Sequence, residues 1–150
     1  MEGSRGEGKV ASVFSGAWLP SLLMSNLPGT AGLWRVAQMP TQDGEYTTSE
    51  NGGSALAVLQ RSRKPEASYR FIEYACHNAE GIKARVNGGA FPADNNTLSD
   101  WEFLHKTTVT DERGIEIPYF GGQEYNRVLS EAAERFDRLP VSAIRSVCAK

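Results

Sequence analysis

Apolar residues fall at Tyr125, Val128, Leu129, Ala132, Ala133 and Phe136, offsets of 0, 3, 4, 7, 8 and 11, with polar residues between them. That spacing predicts an amphipathic helix over about 122–137 and is the clearest period in the chain. Val10 to Phe14 alternates weakly and reads as a short strand ended by Gly16. Trp18, Leu19, Leu22 and Leu23 recur at helical spacing, with Pro20 in the first turn, where proline is tolerated. Asn26-Leu27-Pro28-Gly29 closes that helix, and Leu33 to Met39 reads as a strand stopped by Pro40. Thr41 to Gly53 is a polar, glycine-rich loop. Ala55 to Leu59 is a continuous run of small apolar residues, the pattern of a buried parallel strand.

Pro65 suits the first turn of the next helix, whose expected buried stripe is Ala67, Phe71, Ile72 and Ala75. A shorter helix follows over Glu80–Val86 and stops at Asn87-Gly88-Gly89. Ala90-Phe91-Pro92 is extended, because the residue before a proline avoids the helical region. Residues 93–114 are mixed, with a turn of helix near Ser99–His105, and the tail after Pro140 carries no assignment. Strands alternating with helices predict an α/β protein. The long irregular stretches 41–53 and 93–121 are unusual for a self-contained domain and suit a chain that is part of something larger.

Composition narrows the function classes. A length of 150 residues with 40% apolar and 23% charged residues allows one ordinary globular domain. A net charge of −2 gives no electrostatic footprint for nucleic acid. No apolar run approaches the roughly 20 residues of a membrane span, and the first ten residues hold no apolar stretch of the kind found in signal peptides. Cys76 and Cys148 show no zinc-like spacing with histidine, and two unpaired thiols are the expectation.

The candidate chemistry lies at Tyr119-Phe120-Gly121-Gly122-Gln123, just ahead of the last helix. Flat rings, a bare backbone corner and an amide suit a neutral polyhydroxylated ligand. A ring covers the C–H face of a sugar, and an amide both donates to and accepts from hydroxyls. The stretch lacks a nucleophile, a metal cluster and a phosphate loop. Elsewhere, Gly3 to Lys9 fits G-x-x-x-x-G-K, but Val10 stands where Mg²⁺ binding needs Ser or Thr, and no strand precedes it. Cys76 and His77 are adjacent on a helix and so do not share a face. His105 has no evident partner. The 18 acidic residues are scattered, which leaves a carboxylate pair such as Glu116 and Glu124 as the route to an alternative reading, a small glycan-acting hydrolase.

Several segments together resemble one family. Gly8 to Ala11 running into Phe14-Ser15-Gly16-Ala17-Trp18, Gly32 to Pro40, Asn51-Gly52-Gly53-Ser54 to Val58, Lys64-Pro65-Glu66-Ala67 to Ile72, Gly88 to Ala93 and Tyr119 to Gln123 occur in the order and spacing of that family. It is the solute-binding proteins of sugar ABC importers, family 1, the maltose-binding-protein-like group. The resemblance covers about residues 8–137 and implies the C-terminal part of a type II periplasmic-binding-protein-like fold, with two lobes closing on a sugar. By analogy residues 8–40 and 93–137 belong to one lobe and 54–86 to the other. Residues 1–7 are expected to be disordered or vector-derived, and 138–150 depart from the family pattern.

The resemblance further implies a binding protein without enzymatic chemistry or cofactor. Its ligand would be a mono- or oligosaccharide and its partner the ABC permease of the full-length parent, at an extracellular, cell-surface or periplasmic location. The ligand-binding residues it points to are Trp18, Gly52, Gly53, Ser54, Tyr119, Gly121 and Gln123. Trp18 would stack on sugar, and Gly52 to Ser54 would offer N–H groups and a hydroxyl. Phe120, Trp34 and Trp101 are expected to be structural. A truncated lobe would expose apolar surface, so self-association of the chain is expected as well.

Overall fold

The computed structural model describes residues 8–42, 44, 48, 52–111 and 113–135. The expectations for residues 1–7, Phe136, Cys148 and the tail lie outside the described residues. Residues 9–16 carry no regular secondary structure and lead through a turn at 17–18 into helix α1, Leu19–Asn26. A single 3₁₀ turn, Pro28–Thr30, follows, and then a stretch without regular secondary structure over 34–40. After residues 52–64 come helices α2, Pro65–His77, and α3, Ala79–Asn87. Two single-turn helices, α4 (Asn95–Leu98) and α5 (Trp101–Leu104), lead to strands β1, Val109–Thr110, and β2, Glu116–Ile117. Helix α6 is Tyr125–Glu134.

Local chemistry sets most of these boundaries. Pro65 occupies the first turn of α2, where its missing N–H costs nothing. Asn78 ends α2 and starts α3: its N–H donates to Tyr74 O at 3.2 Å, and its Oδ1 accepts from Glu80 N at 3.0 Å. Asp94 and Asp100 cap α4 and α5 by accepting from Thr97 N and Phe103 N, both at 2.9 Å. Gly121 and Gly122 sit at φ of +62° and +81°. Left-handed backbone cannot enter a right-handed helix, so α6 begins at Tyr125 and not at the expected 122.

Among the described residues the sheet is one antiparallel pair, with Val109 opposite Ile117 and Thr110 opposite Glu116. The parallel sheet expected of an α/β fold is not formed there. Among the described residues Val10–Phe14 and Leu33–Met39 form no strand, Leu33 lying in a turn, and Ala55–Leu59 is not the expected buried strand. Leu56 and Leu59 are exposed. A strand is held by its neighbours, and these segments have none among the described residues. The expected stripe of α2 is corrected in the same way. Ala75 is buried, but Phe71 is 63% exposed, and Tyr69 and Tyr74 lie open beside it.

The core gathers Leu23, Met24, Val109, Tyr119, Phe120 and Tyr125, with Leu19, Leu27, Trp34, Val36, Ile117 and Leu129 packed around them. It therefore joins α1, the 34–36 stretch, the β hairpin and α6. Phe120 is edge-on to Tyr119 at 5.5 Å and tilted against Tyr125 at 5.0 Å. Helix α6 buries Tyr125, Asn126 and Ser130, so two polar residues share its inner face. Asn126 is satisfied by donating from Nδ2 to Phe103 O at 3.0 Å. Helices α2 and α3 pack on each other as a separate hairpin.

Candidate functional site

The corner at 119–123 is built against α1 and the 34–38 stretch. Tyr119 is 0% exposed. Its hydroxyl lies 2.9 Å from Leu23 O and 2.8 Å from Leu27 O, carbonyls at the end of α1, and 2.8 Å from Thr30 Oγ1. Trp34 Nε1 donates to the same Thr30 oxygen at 2.9 Å. Helix ends leave carbonyls without helical partners, and here a buried phenol serves that region. Burial raises the Tyr119 pKa, and the bond to Thr30 opposes that only in part. Tyr125 is pushed up to about 12, chiefly by burial.

Gln123 is committed as well. Its Oε1 accepts from Val36 N at 2.8 Å, and its Nε2 donates to Val36 O at 2.7 Å. The amide takes the place of a neighbouring strand at that residue. Gly121 faces Arg35, whose guanidinium donates to Gly32 O at 2.8 Å and to Trp34 O at 2.6 Å. A side chain at Gly121 would collide with that guanidinium and would also need the left-handed backbone. In this arrangement Tyr119 and Gln123 are turned inward, and only the glycines of the corner are open. Phe120, 2% exposed, is core.

Trp18 lies differently. It is 42% exposed, and Gly16 O accepts from Leu19 N at 3.0 Å to turn the chain into α1 beside it. The loop at 52–54 comes to Trp18. A Cβ placed on Gly52, at φ +83°, would stand 3.9 Å from the indole Nε1. Gly52, Gly53 and Ser54 are exposed. The structure thus brings Trp18 and Gly52 together across 34 positions of sequence, and it sets Tyr119 apart from Trp18 in exposure: one ring is half open, the other closed.

Trp101, read as structural from the sequence, is 71% exposed and stacks on His105 with ring centroids 4.5 Å apart and planes 20° apart. Trp34 is half-buried beside the core. Glu116 pairs with Lys106 at 3.4 Å, and Glu124 with Arg127 at 3.6 Å. Cys76 is half-buried, with Arg85 Nη1 at 3.5 Å from its sulfur. Among the described residues no group of three or more metal-binding side chains converges, and no helix is long and apolar enough to cross a membrane.

A groove of about 620 Å³ runs between residues 12–16 and 34–40, floored by Leu23, Phe120, Val128 and Leu129. Sequence patterning offered no sign of it, because it exists only where two segments far apart in the chain meet residues of α6.

No protein-family model and no curated protein matches the chain. A solved structure does, the ABC transporter associated binding protein from B. animalis subsp. lactis Bl-04, determined in complex with β-1,6-galactobiose. The two are 46% identical, with a TM-score of 0.79, over 90% of this chain and 33% of that one. The chain therefore spans about a third of the length of the structure it matches. Over nine-tenths of its length this chain is similar, in sequence and in fold, to one part of an ABC transporter associated binding protein.

Proposed function

We propose that the chain forms part of the sugar-binding component of an ABC importer and supplies one wall of its sugar cleft. The observation that carries this is the 46% identity to a binding protein solved with β-1,6-galactobiose. The geometry supports it at one place. Trp18 presents a half-open indole beside the exposed backbone and hydroxyl of Gly52, Gly53 and Ser54. An aromatic face covers sugar C–H groups while N–H and O–H groups address hydroxyls. Tyr119 and Gln123 hold the wall in shape from behind, and Gly121 lets the chain pass Arg35 closely.

On this reading residues 8–40 and 93–137 belong to one lobe and 54–86 to the other. Support comes from the core, which draws on residues 19–36 and 109–129 and takes nothing from α2 or α3. The whole protein works outside the membrane, delivers an oligosaccharide to a permease, and binds by closure of its lobes. It performs no bond cleavage.

Titration of the 150-residue chain with β-1,6-galactobiose, followed by ligand-observed NMR, tests this. A parent affinity of about 1 μM is worth about −8 kcal/mol, and half the contacts leave about −4, near millimolar. Weak, saturable binding is expected. Submicromolar affinity of the chain alone would contradict the two-lobe reading, and release of galactose would contradict the binding role.

A further inference from the structure

The segment from Gly52 to Gly89 meets one turn of α1 at both of its ends. Trp18 precedes that helix with φ and ψ of −81° and −15°, so the helical path already runs through it, and Ser21 stands three residues on. Side chains three apart on a helix are neighbours on one face. Gly52 comes to Trp18, where a Cβ on it would stand 3.9 Å from the indole Nε1. Gly89 comes to Ser21, whose Oγ donates to Gly89 O at 3.2 Å. Gly89 has φ of +89°, and a Cβ there would collide with Ser21 Oγ and stand 2.6 Å from Ser21 Cβ. Bare backbone lies against the serine, with no room for a methyl group.

The junction at Gly89 is stiff on its other side. Gly88 N, Gly89 N and Ala90 N donate to Ala84 O, Val86 O and Arg85 O, each at 3.0 Å, and tie it to the end of α3. Helices α2 and α3 pack on each other more than on any other described helix or strand. A cavity of about 40 Å³ lies beside the junction, bordered by Ser21, Asn87 and Gly89. Packing there is incomplete, which leaves the Ser21–Gly89 contact to set how closely α3 approaches α1.

We propose that Ser21 is a positioning residue for the sugar wall. By holding Gly89 on the turn of α1 that carries Trp18, it fixes where the segment between the two glycines sits, and with it how Gly52, Gly53 and Ser54 face the indole. A segment tied at one end only would swing about Gly52. Tied at both ends to one turn, it keeps its entrance and its exit in register. The hydroxyl supplies the tie and the Cβ supplies the stop. The proposal rests on the functional reading above, so the wall is followed both with and without sugar.

NMR of the 150-residue chain tests this, with the amides of Gly52, Gly53 and Ser54 and the indole N–H of Trp18 as reporters. Gly89→Ala drives a methyl group into Ser21 and should displace the reporters without sugar, although the change is made at the far end of the segment. Ser21→Gly makes room for that methyl group, so Gly89→Ala with Ser21→Gly should return them toward their native positions. Alanine at positive φ is strained in the single and the double variant alike, and the recovery therefore reads the contact alone. Gly89→Ala should also weaken β-1,6-galactobiose binding about threefold or more, and the double variant should restore it. Ser21→Ala loses only the hydroxyl. It should move the same reporters in the same direction, and it decides the matter if Gly89→Ala does not fold. Reporters at 52–54 that stay in place in these variants, or that move without recovering in the double variant, would overturn the proposal. Displaced reporters with unchanged galactobiose affinity would do so too. If the native chain binds no galactobiose while the reporters move and recover, the functional reading falls and the placement of 52–54 by Ser21 stands.

Discussion

The side-chain amide of Gln123 closes two hydrogen bonds on the main chain of Val36, 87 residues away, accepting from its N–H at 2.8 Å and donating to its carbonyl at 2.7 Å. One side chain thereby satisfies both backbone groups of a residue in a segment that pairs with no strand among the described residues. Replacing it with Leu would strand both groups in a partly buried place. A loss of about 1–3 kcal/mol is expected, read as a lower urea midpoint at unchanged m-value. Glu at the same position keeps the acceptor and loses the donor, so Gln123→Glu should fall between Leu and the native chain. Equal stability of all three would show that the clamp is incidental.

The buried phenols make a pH prediction. Tyr119 and Tyr125 are both raised above the ordinary tyrosine value of 10.0, mainly by burial, Tyr125 to about 12. Above pH 10 the unfolded chain releases these protons more readily than the folded one. Stability from the two neutral phenols is therefore fully present below pH 10 and declines as pH rises toward 12. The slope is about 1.4 kcal/mol per pH unit for each group while it lasts. Tyr125→Phe should flatten the denaturant-midpoint profile between pH 10 and 12. An unaltered profile would mean the ring is not held in a desolvated site.

Gly81 is packed where α3 crosses α2. A Cβ there would come within 2.8 Å of the Tyr74 carbonyl carbon and 3.0 Å of Ala75 Cα. These are backbone atoms and cannot swing aside. Gly81→Ala should force the two helices apart and cost about 1–3 kcal/mol, although alanine favours helix over glycine by about 1 kcal/mol. Helical signal in thermal unfolding by circular dichroism would detect it. A stabilised Gly81→Ala chain would rule out this close approach.

Trp18 and Tyr119 should differ as sugar-site variants. Trp18→Ala removes a half-open ring, and about tenfold weaker galactobiose binding, near 1.4 kcal/mol, is expected with little change in stability. Tyr119→Phe removes a buried hydroxyl and should destabilise the chain by about 1–3 kcal/mol, while binding stays unchanged once the fraction folded is accounted for. The opposite pattern in NMR titration and denaturation would place the stacking ring at Tyr119.

Helices α2, α3 and α6 were legible in the sequence because their determinants are local. Pro65, the Asn87-Gly88-Gly89 stop and the spacing from Tyr125 act within a turn or two of where they stand. The aromatic corner at 119–123 was visible for the same reason, as composition. Which way its side chains point was not. The phenol of Tyr119 turns inward because the end of α1, more than ninety positions earlier, offers it two carbonyls.

The sequence by itself determined where the chain turns and where it is helical, and it showed the aromatic, glycine and amide composition of the 119–123 corner. Tertiary structure alone decided which ring is open and which is closed. It also decided that Val10–Phe14, Leu33–Met39 and Ala55–Leu59 form no strand among the described residues. The reason is physical: a helix satisfies its hydrogen bonds within its own segment, whereas a strand and a binding face are defined by what lies beside them.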